Sequence, residues 1–256
     1  MVVVKRKKKA IFNIKNVAMT LIGLNVIMFI MQMIFGEGFT NALMLVSGDI
    51  FIRPWILITS MFLHAGGTHL LFNMYALLIF GPLIEKRIGS KRFLLAYFVS
   101  GLLAGGLYAV FNTFVRGAPQ MAAVGASGAI MGILGLVIML LPNLRVLFFF
   151  IIPMSMRTAG IIFAAIDLVG FISGGFGIAH LAHLVGLSVG LLFGWYLKNK
   201  KLKFAQQFGG GPKARMKMYT VGGASKMTPK KASGKYEDTI ELQKDDLDNY
   251  FKYGRL

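Results

Sequence analysis

Two residues in this chain could do chemistry where little else can. Ser127 lies in GASGAIMGILG and His183 in AHLAHLVGLSVG, both uncharged and apolar over a length suited to a bilayer. A hydroxyl or an imidazole is costly in such surroundings unless it is paired or used. A serine with a histidine for its base is a nucleophile pair, so these types point to a serine hydrolase working inside a membrane. His69 and Asn73 are four apart, on one face of a helix. Both can donate hydrogen bonds. With the Ser127 backbone amide they would stabilise the oxyanion of a tetrahedral intermediate.

The elements that must position these residues follow from composition. The chain has 256 residues, 56% hydrophobic and 15% charged. That is too apolar for a soluble domain of this size and fits a polytopic membrane protein. The net charge of +18 resembles a nucleic-acid footprint, but six of the 28 basic residues lie in 1–16 and fourteen lie after Leu197. Clusters flanking apolar spans report orientation and attraction to anionic lipid. No nucleic-acid partner is expected. Cysteine is absent, so disulfides, thiolate nucleophiles and cysteine metal sites are excluded. His64 and His180 are expected to be hydrogen-bonded structural histidines, because the nearest carboxylates, Asp49 and Asp167, have no motif spacing with them. No metal and no cofactor are expected.

Helices are predicted at 17–36, 69–84, 93–114, 125–141, 158–173 and 179–197. The run from Val17 to Phe35 is too long for a signal-peptide core and reads as a retained first helix. Residues 145–157, broken by Pro153, are too short to span and read as an interfacial or re-entrant segment, the rival being a seventh span. The positive-inside rule separates the two. Six spans leave only Arg53 and Arg116 outside, whereas seven expose the fourteen basic residues of the tail. Three parts are therefore expected: a basic cytoplasmic segment at 1–16, a six-helix membrane domain at 17–197 and a basic, flexible cytoplasmic tail at 198–256. A multi-pass protein of the cell membrane with both termini in the cytoplasm is expected. Glu37 to Thr68 forms a long first outer loop. Glu85 with Arg87 ends the second helix at the inner surface. The stretch YEDTIELQKDDLDNYF reads as solvated tail, the alternative being a short amphipathic helix that binds a cytoplasmic partner.

Orientation makes the polar residues converge. The second, fourth and sixth helices all run inward, so His69, Asn73, Ser127 and His183 share a depth about a turn below the outer surface. Gly128-xxx-Gly132 and Gly186-xxx-Gly190-xxx-Gly194 are small-residue faces that allow close backbone contact in lipid. Packing them would bring hydroxyl and imidazole together.

These residues resemble the rhomboid intramembrane serine proteases over about 17–197. The likeness rests on H-x-x-x-N at His69–Asn73, GPLIEKRIGSKRFLLAYFVSG after it, G-x-S-G at Gly125–Gly128 and A-H-x-x-G-x-x-x-G at Ala182–Gly190. It implies an all-α, six-helix rhomboid-like bundle and a Ser127–His183 dyad with His183 as general base. It also implies an oxyanion site from His69, Asn73 and the Ser127 amide, and cleavage of single-span membrane proteins near the outer leaflet. Partners would then be transmembrane substrates and membrane lipid. Met131 stands where many members carry an aromatic ring on the catalytic histidine, and its thioether can make a similar contact. Arg53-Pro54-Trp55 departs from the family's order, and no role is carried across. Asp167, in the fifth helix, is expected to be structural or gating rather than a third catalytic member, because the resemblance implies a dyad. The competing readings are an inactive rhomboid-like scaffold that binds membrane helices and, further off, a small transporter.

Overall fold

The computed structural model describes residues 16–148, 151–174, 179–208, 219–221 and 224–226. The expected basic segment at 1–16, apart from Asn16, and the tail stretch YEDTIELQKDDLDNYF lie outside the described residues.

The protein is mostly helical. Helix α1 runs Val17–Leu43, followed by the short strand β1 (Leu45–Val46) and the one-turn helix α2 (Ile56–Thr59). Helices α3 (Gly67–Ile88) and α4 (Ser90–Val110) come next, the latter extended by a π-turn over Phe111–Val115. Strand β2 (Ala122–Ala123) precedes α5 (Ser127–Leu140). Strands β3 (Arg145–Phe148) and β4 (Ile152–Ser155) lead into α6 (Met156–Ile172), and α7 covers His180–Phe208. In the C-terminal unit, β5 (Tyr219–Val221) and β6 (Ala224–Lys226) pair with each other. The helical class expected from the sequence is thus seen, with three small two-stranded antiparallel ribbons added to it among the described residues. Among the described residues, four helices are long and apolar enough to cross a membrane: Val17–Leu43, Gly67–Ile88, Ser90–Val115 and His180–Lys200.

Several boundaries move. The first helix continues past 36 to Leu43 through a kink at Gly36, whose φ of 68° favours glycine. The second begins at Gly67 and carries Pro82 within it, running on to Ile88. The segment 145–157 is neither helix nor span but chiefly a hairpin pairing Arg145 with Ser155 and Phe148 with Ile152. Its Phe, Val and Ile residues favour strand, and Pro153 is tolerated because a two-stranded ribbon consists only of edges. The last helix passes the expected end at 197 by eleven residues, to Phe208.

Glu85 stands near the end of α3 beside Arg87, as expected, and has a further task. It is buried, and its two carboxylate oxygens accept the backbone N–H groups of Val17 and Ala18, each at 2.9 Å. Ser90 Oγ donates to the same carboxylate at 2.6 Å. The start of α1 has N–H groups with no intrahelical acceptor, and an anion from α3 satisfies two of them.

Burial explains why α5 is short. Its ten residues from Gly128 to Val137 are all buried, as expected for a helix that is apolar all round. At 14 residues it spans only ~21 Å, less than a ~30 Å hydrocarbon core. The outer helices instead expose apolar side chains, among them Met33 on α1, Phe72 on α3, Leu103 on α4, Ile161 on α6 and Leu192 on α7. Such a surface suits lipid rather than water.

Candidate active site

Ser127 is the first residue of α5. The loop that delivers it is held from below and from the side. Gly125 N–H donates to Ser60 O at 2.9 Å, and Ser47 N–H donates to Met121 O at 2.9 Å. Strands β1 and β2 pair Leu45 with Ala123 and Val46 with Ala122. Gly125 has φ +126°, and a Cβ there would lie 2.8 Å from His69 Cε1. Only glycine meets both demands, so the ring of His69 sits directly against the turn that presents Ser127.

His183 reaches the serine because the backbones of α5 and α7 touch. The space a Cβ on Gly186 would need is filled by the carbonyl oxygen of Gly128, and that on Gly190 by the carbonyl of Gly132. A Cβ on Gly135 would likewise lie only 2.5 Å from Leu187 O. With the helices this close, Ser127 Oγ lies 2.9 Å from His183 Nε2.

On the other side of the ring, His183 Nδ1 is 3.0 Å from Asp167 Oδ1, on α6. The same oxygen lies 2.8 Å from His180 Nδ1. Sequence spacing offered no motif linking Asp167 to these histidines, although a carboxylate inside an apolar helix demands partners and the run of the fifth helix brings Asp167 towards the depth of Ser127; the structure places it on both rings. The three donor atoms lie within 4.8 Å of one another. Hydrogen bonds from two imidazole N–H groups to one carboxylate account for that closeness without an ion.

His69 and Asn73 lie on α3 beside the serine. His69 Nδ1 accepts from Ala65 N–H at 3.4 Å, and Asn73 Nδ2 donates to His69 O at 3.1 Å. The second N–H of that amide is left for the cavity. Ser127 opens its helix, so its own N–H has no intrahelical acceptor and sits at the positive end of the helix dipole. His69, Asn73, Ser127, Met131 and His183 all line one cavity of about 2040 Å³, which also touches α1, α6 and β3.

His64, in the segment before α3, lies at 5.1 Å from the His69 ring, edge to face. Its backbone is clasped by Gln32: His64 N–H donates to Gln32 Oε1 at 2.9 Å and His64 O accepts from Gln32 Nε2 at 3.2 Å. Burial, reinforced by the neighbouring His69, lowers the His64 pKa from its ordinary 6.5 to about 4. Arg53 pairs with Asp49 and donates to Asn41 O at 3.3 Å, away from these residues. Trp55 is half exposed.

Comparison with known proteins shows the family of the chain. The Rhomboid domain family model matches residues 53–200. Rhomboid protein 1, mitochondrial, from Saccharomyces cerevisiae is 31% identical over 196 residues, covering 75% of this chain and 56% of the yeast protein. Rhomboid protease GluP of Bacillus subtilis is 35% identical over 138 residues, 52% of this chain and 24% of GluP. Rhomboid protease AarA of Providencia stuartii is 32% identical over 146 residues, 50% of this chain and 52% of AarA. The chain spans less than two thirds of the length of each of these relatives. The matched region holds Ser127, His183, His69 and Asn73 and more than half of the chain, and with its long apolar helices the protein is a multi-pass membrane protein belonging to the rhomboid family.

Proposed function

We propose that the protein is an intramembrane serine endopeptidase that cleaves single-span membrane proteins near the outer leaflet. The observation that carries this reading is the 2.9 Å approach of Ser127 Oγ to His183 Nε2 at the wall of a mostly apolar cavity into which His69 and Asn73 also face. His183 takes the serine proton as Oγ attacks the scissile carbonyl, then returns it to the leaving amine. The developing oxyanion is received by the Ser127 N–H, Asn73 and His69. Neither step requires a cofactor or metal.

The bundle crosses a cell membrane six times, α1 and α3 to α7 each once, with both termini in the cytoplasm. That topology keeps 26 of the 28 basic residues inside. Short α5 does not need to reach across, since protein rather than lipid surrounds it. The parts divide as 1–16, 17–197 and 198–256, with α7 leading from the second into the third, and the tail is free to meet anionic lipid or a cytoplasmic partner. A substrate helix hides its carbonyls in i→i−4 bonds, so substrates carry Gly, Pro or small residues near the outer end of their span. They reach Ser127 between α3 and α6, both of which line the cavity through Phe72, Ala76, Ala159 and Phe163.

The deciding experiment incubates purified protein with a labelled single-span substrate, in wild-type and Ser127→Ala forms. Cleavage by the wild type alone is expected. Equal cleavage by both ends the serine-protease reading. No cleavage by either, together with retained substrate binding, moves the protein to the class of inactive rhomboid-like scaffolds.

A further inference from the structure

We infer that Asp167 is a positioning residue for His183, so that the site works as a Ser127–His183–Asp167 relay with His180 as a second, competing donor to the carboxylate. The inference rests on the serine-protease reading and extends it by one residue and one helix.

Three distances carry the argument, and they lie along one line of chemistry. Ser127 Oγ is 2.9 Å from His183 Nε2, His183 Nδ1 is 3.0 Å from Asp167 Oδ1, and His180 Nδ1 is 2.8 Å from the same oxygen. Asp167 is only 6% exposed. An ionised carboxylate can only accept hydrogen bonds. Both Nδ1 atoms must therefore carry protons. A neutral His183 with its proton on Nδ1 has its lone pair on Nε2, facing the serine hydroxyl. The carboxylate thus selects the one tautomer that can take the Ser127 proton. When the imidazolium forms, a negative charge 3.0 Å away in a site of low dielectric stabilises it. The proton itself stays on the imidazole.

His180 gives the carboxylate a reason to exist in an apolar helix even before the serine is engaged. Two N–H donors offset the cost of burying it. His180 and His183 are three apart, one turn of α7, so a single oxygen on α6 reaches both.

The test compares Asp167→Asn, Asp167→Glu and His180→Ala with wild type in detergent. Two readouts are taken: the rate at which a small fluorophosphonate labels Ser127, and kcat and KM for a labelled single-span substrate. Substrate affinity is measured in the Ser127→Ala background. Soluble serine proteases lose about 10⁴-fold in turnover when this carboxylate becomes an amide. For Asp167→Asn, labelling rate and kcat should fall together by about 100-fold or more, with KM and affinity within about 2-fold. Asp167→Glu should recover part of the loss. His180→Ala should lose less than about 10-fold, because His183 keeps the carboxylate.

Labelling of Asp167→Asn at the wild-type rate overturns the inference. So does a variant that labels normally but binds substrate weakly, which is the behaviour of a gate. Should Asp167→Asn not fold, the ¹⁵N shifts of the His183 ring in the wild type decide: a proton on Nδ1 with bare Nε2 is expected, and the reverse tautomer overturns the inference. Wild-type protein that takes no probe overturns the serine-protease reading itself, whereas a labelled wild type with an equally labelled Asp167→Asn removes only the role of Asp167.

Discussion

Gly186 of α7 rests on the carbonyl oxygen of Gly128 in α5, with no room for a methyl group between them. One turn further on, Gly190 rests on Gly132 in the same way. This contact sets the separation of two helices, and that separation sets the reach from His183 to Ser127. Replacing Gly186 or Gly190 with Ala forces backbone against backbone. Overpacking costs about 1–3 kcal/mol, and the helices must part to accommodate it. Thermal melting should fall in both variants, and Ser127 labelling by a fluorophosphonate should drop at least about tenfold even where folding survives. Gly106→Ala on α4, where nothing lies within 4 Å of the added Cβ, should leave both unchanged. Wild-type labelling in Gly186→Ala would show that the close contact is dispensable.

Ser127 and His183 should behave as one unit. Alanine at either position is expected to remove nearly all proteolysis, and the double variant should be little worse, as for residues that share a step. Turnover of a labelled membrane substrate checks this. Strictly multiplicative losses would argue that the two act independently.

Asn73→Ala should lower kcat while KM moves little, because the free N–H of its amide matters when negative charge develops. Losing one oxyanion donor costs ~2.7–4 kcal/mol in a soluble protease, which is about 10²–10³ in rate. His69→Ala should follow the same split, with an added loss of order in the Gly125 turn it packs on. A rise in KM at constant kcat would assign both residues to substrate binding instead.

His64 makes stability depend on pH. Its folded-state pKa is depressed from 6.5 to about 4 by burial and by His69. The unfolded chain therefore takes up a proton that the folded one refuses. The contribution is intact above pH 6.5 and is lost as pH falls towards 4, on the order of 3 kcal/mol in all. His64→Phe, which fills the same space against the His69 ring, should flatten the decline. Melting curves of the two proteins between pH 7 and pH 4 provide the measurement, and parallel decline would assign the effect to other groups.

The sequence by itself determined what periodicity and composition can carry. Apolar runs bounded by charge marked where helices cross, since lipid tolerates no unsatisfied backbone. Glycines at helical spacing marked which faces approach. Ser127 and His183 stood out because a polar group in an apolar run is expensive, and that cost is local, visible one residue at a time. The helix limits were less legible. Residues 37–43 read as loop because Glu37 and the glycines around it break the pattern, yet they continue α1 beyond its kink. Residues 145–157 were ambiguous because eleven uncharged residues between two arginines are too few to span, so periodicity left an interfacial or re-entrant segment against part of a seventh span, and the pairing that makes 145–155 a hairpin is visible only in space.

Only the tertiary structure decided which carboxylate meets which donor. Glu85 looked like the end of its own helix but caps α1, 67 residues away from Ala18. Asp167 meets His183 across 16 residues of sequence. A charged group buried in an apolar bundle must find partners, and the sequence announces that need. It cannot say where they come from, because hydrogen bonds are satisfied by distance in space, which the packing of α5, α6 and α7 sets.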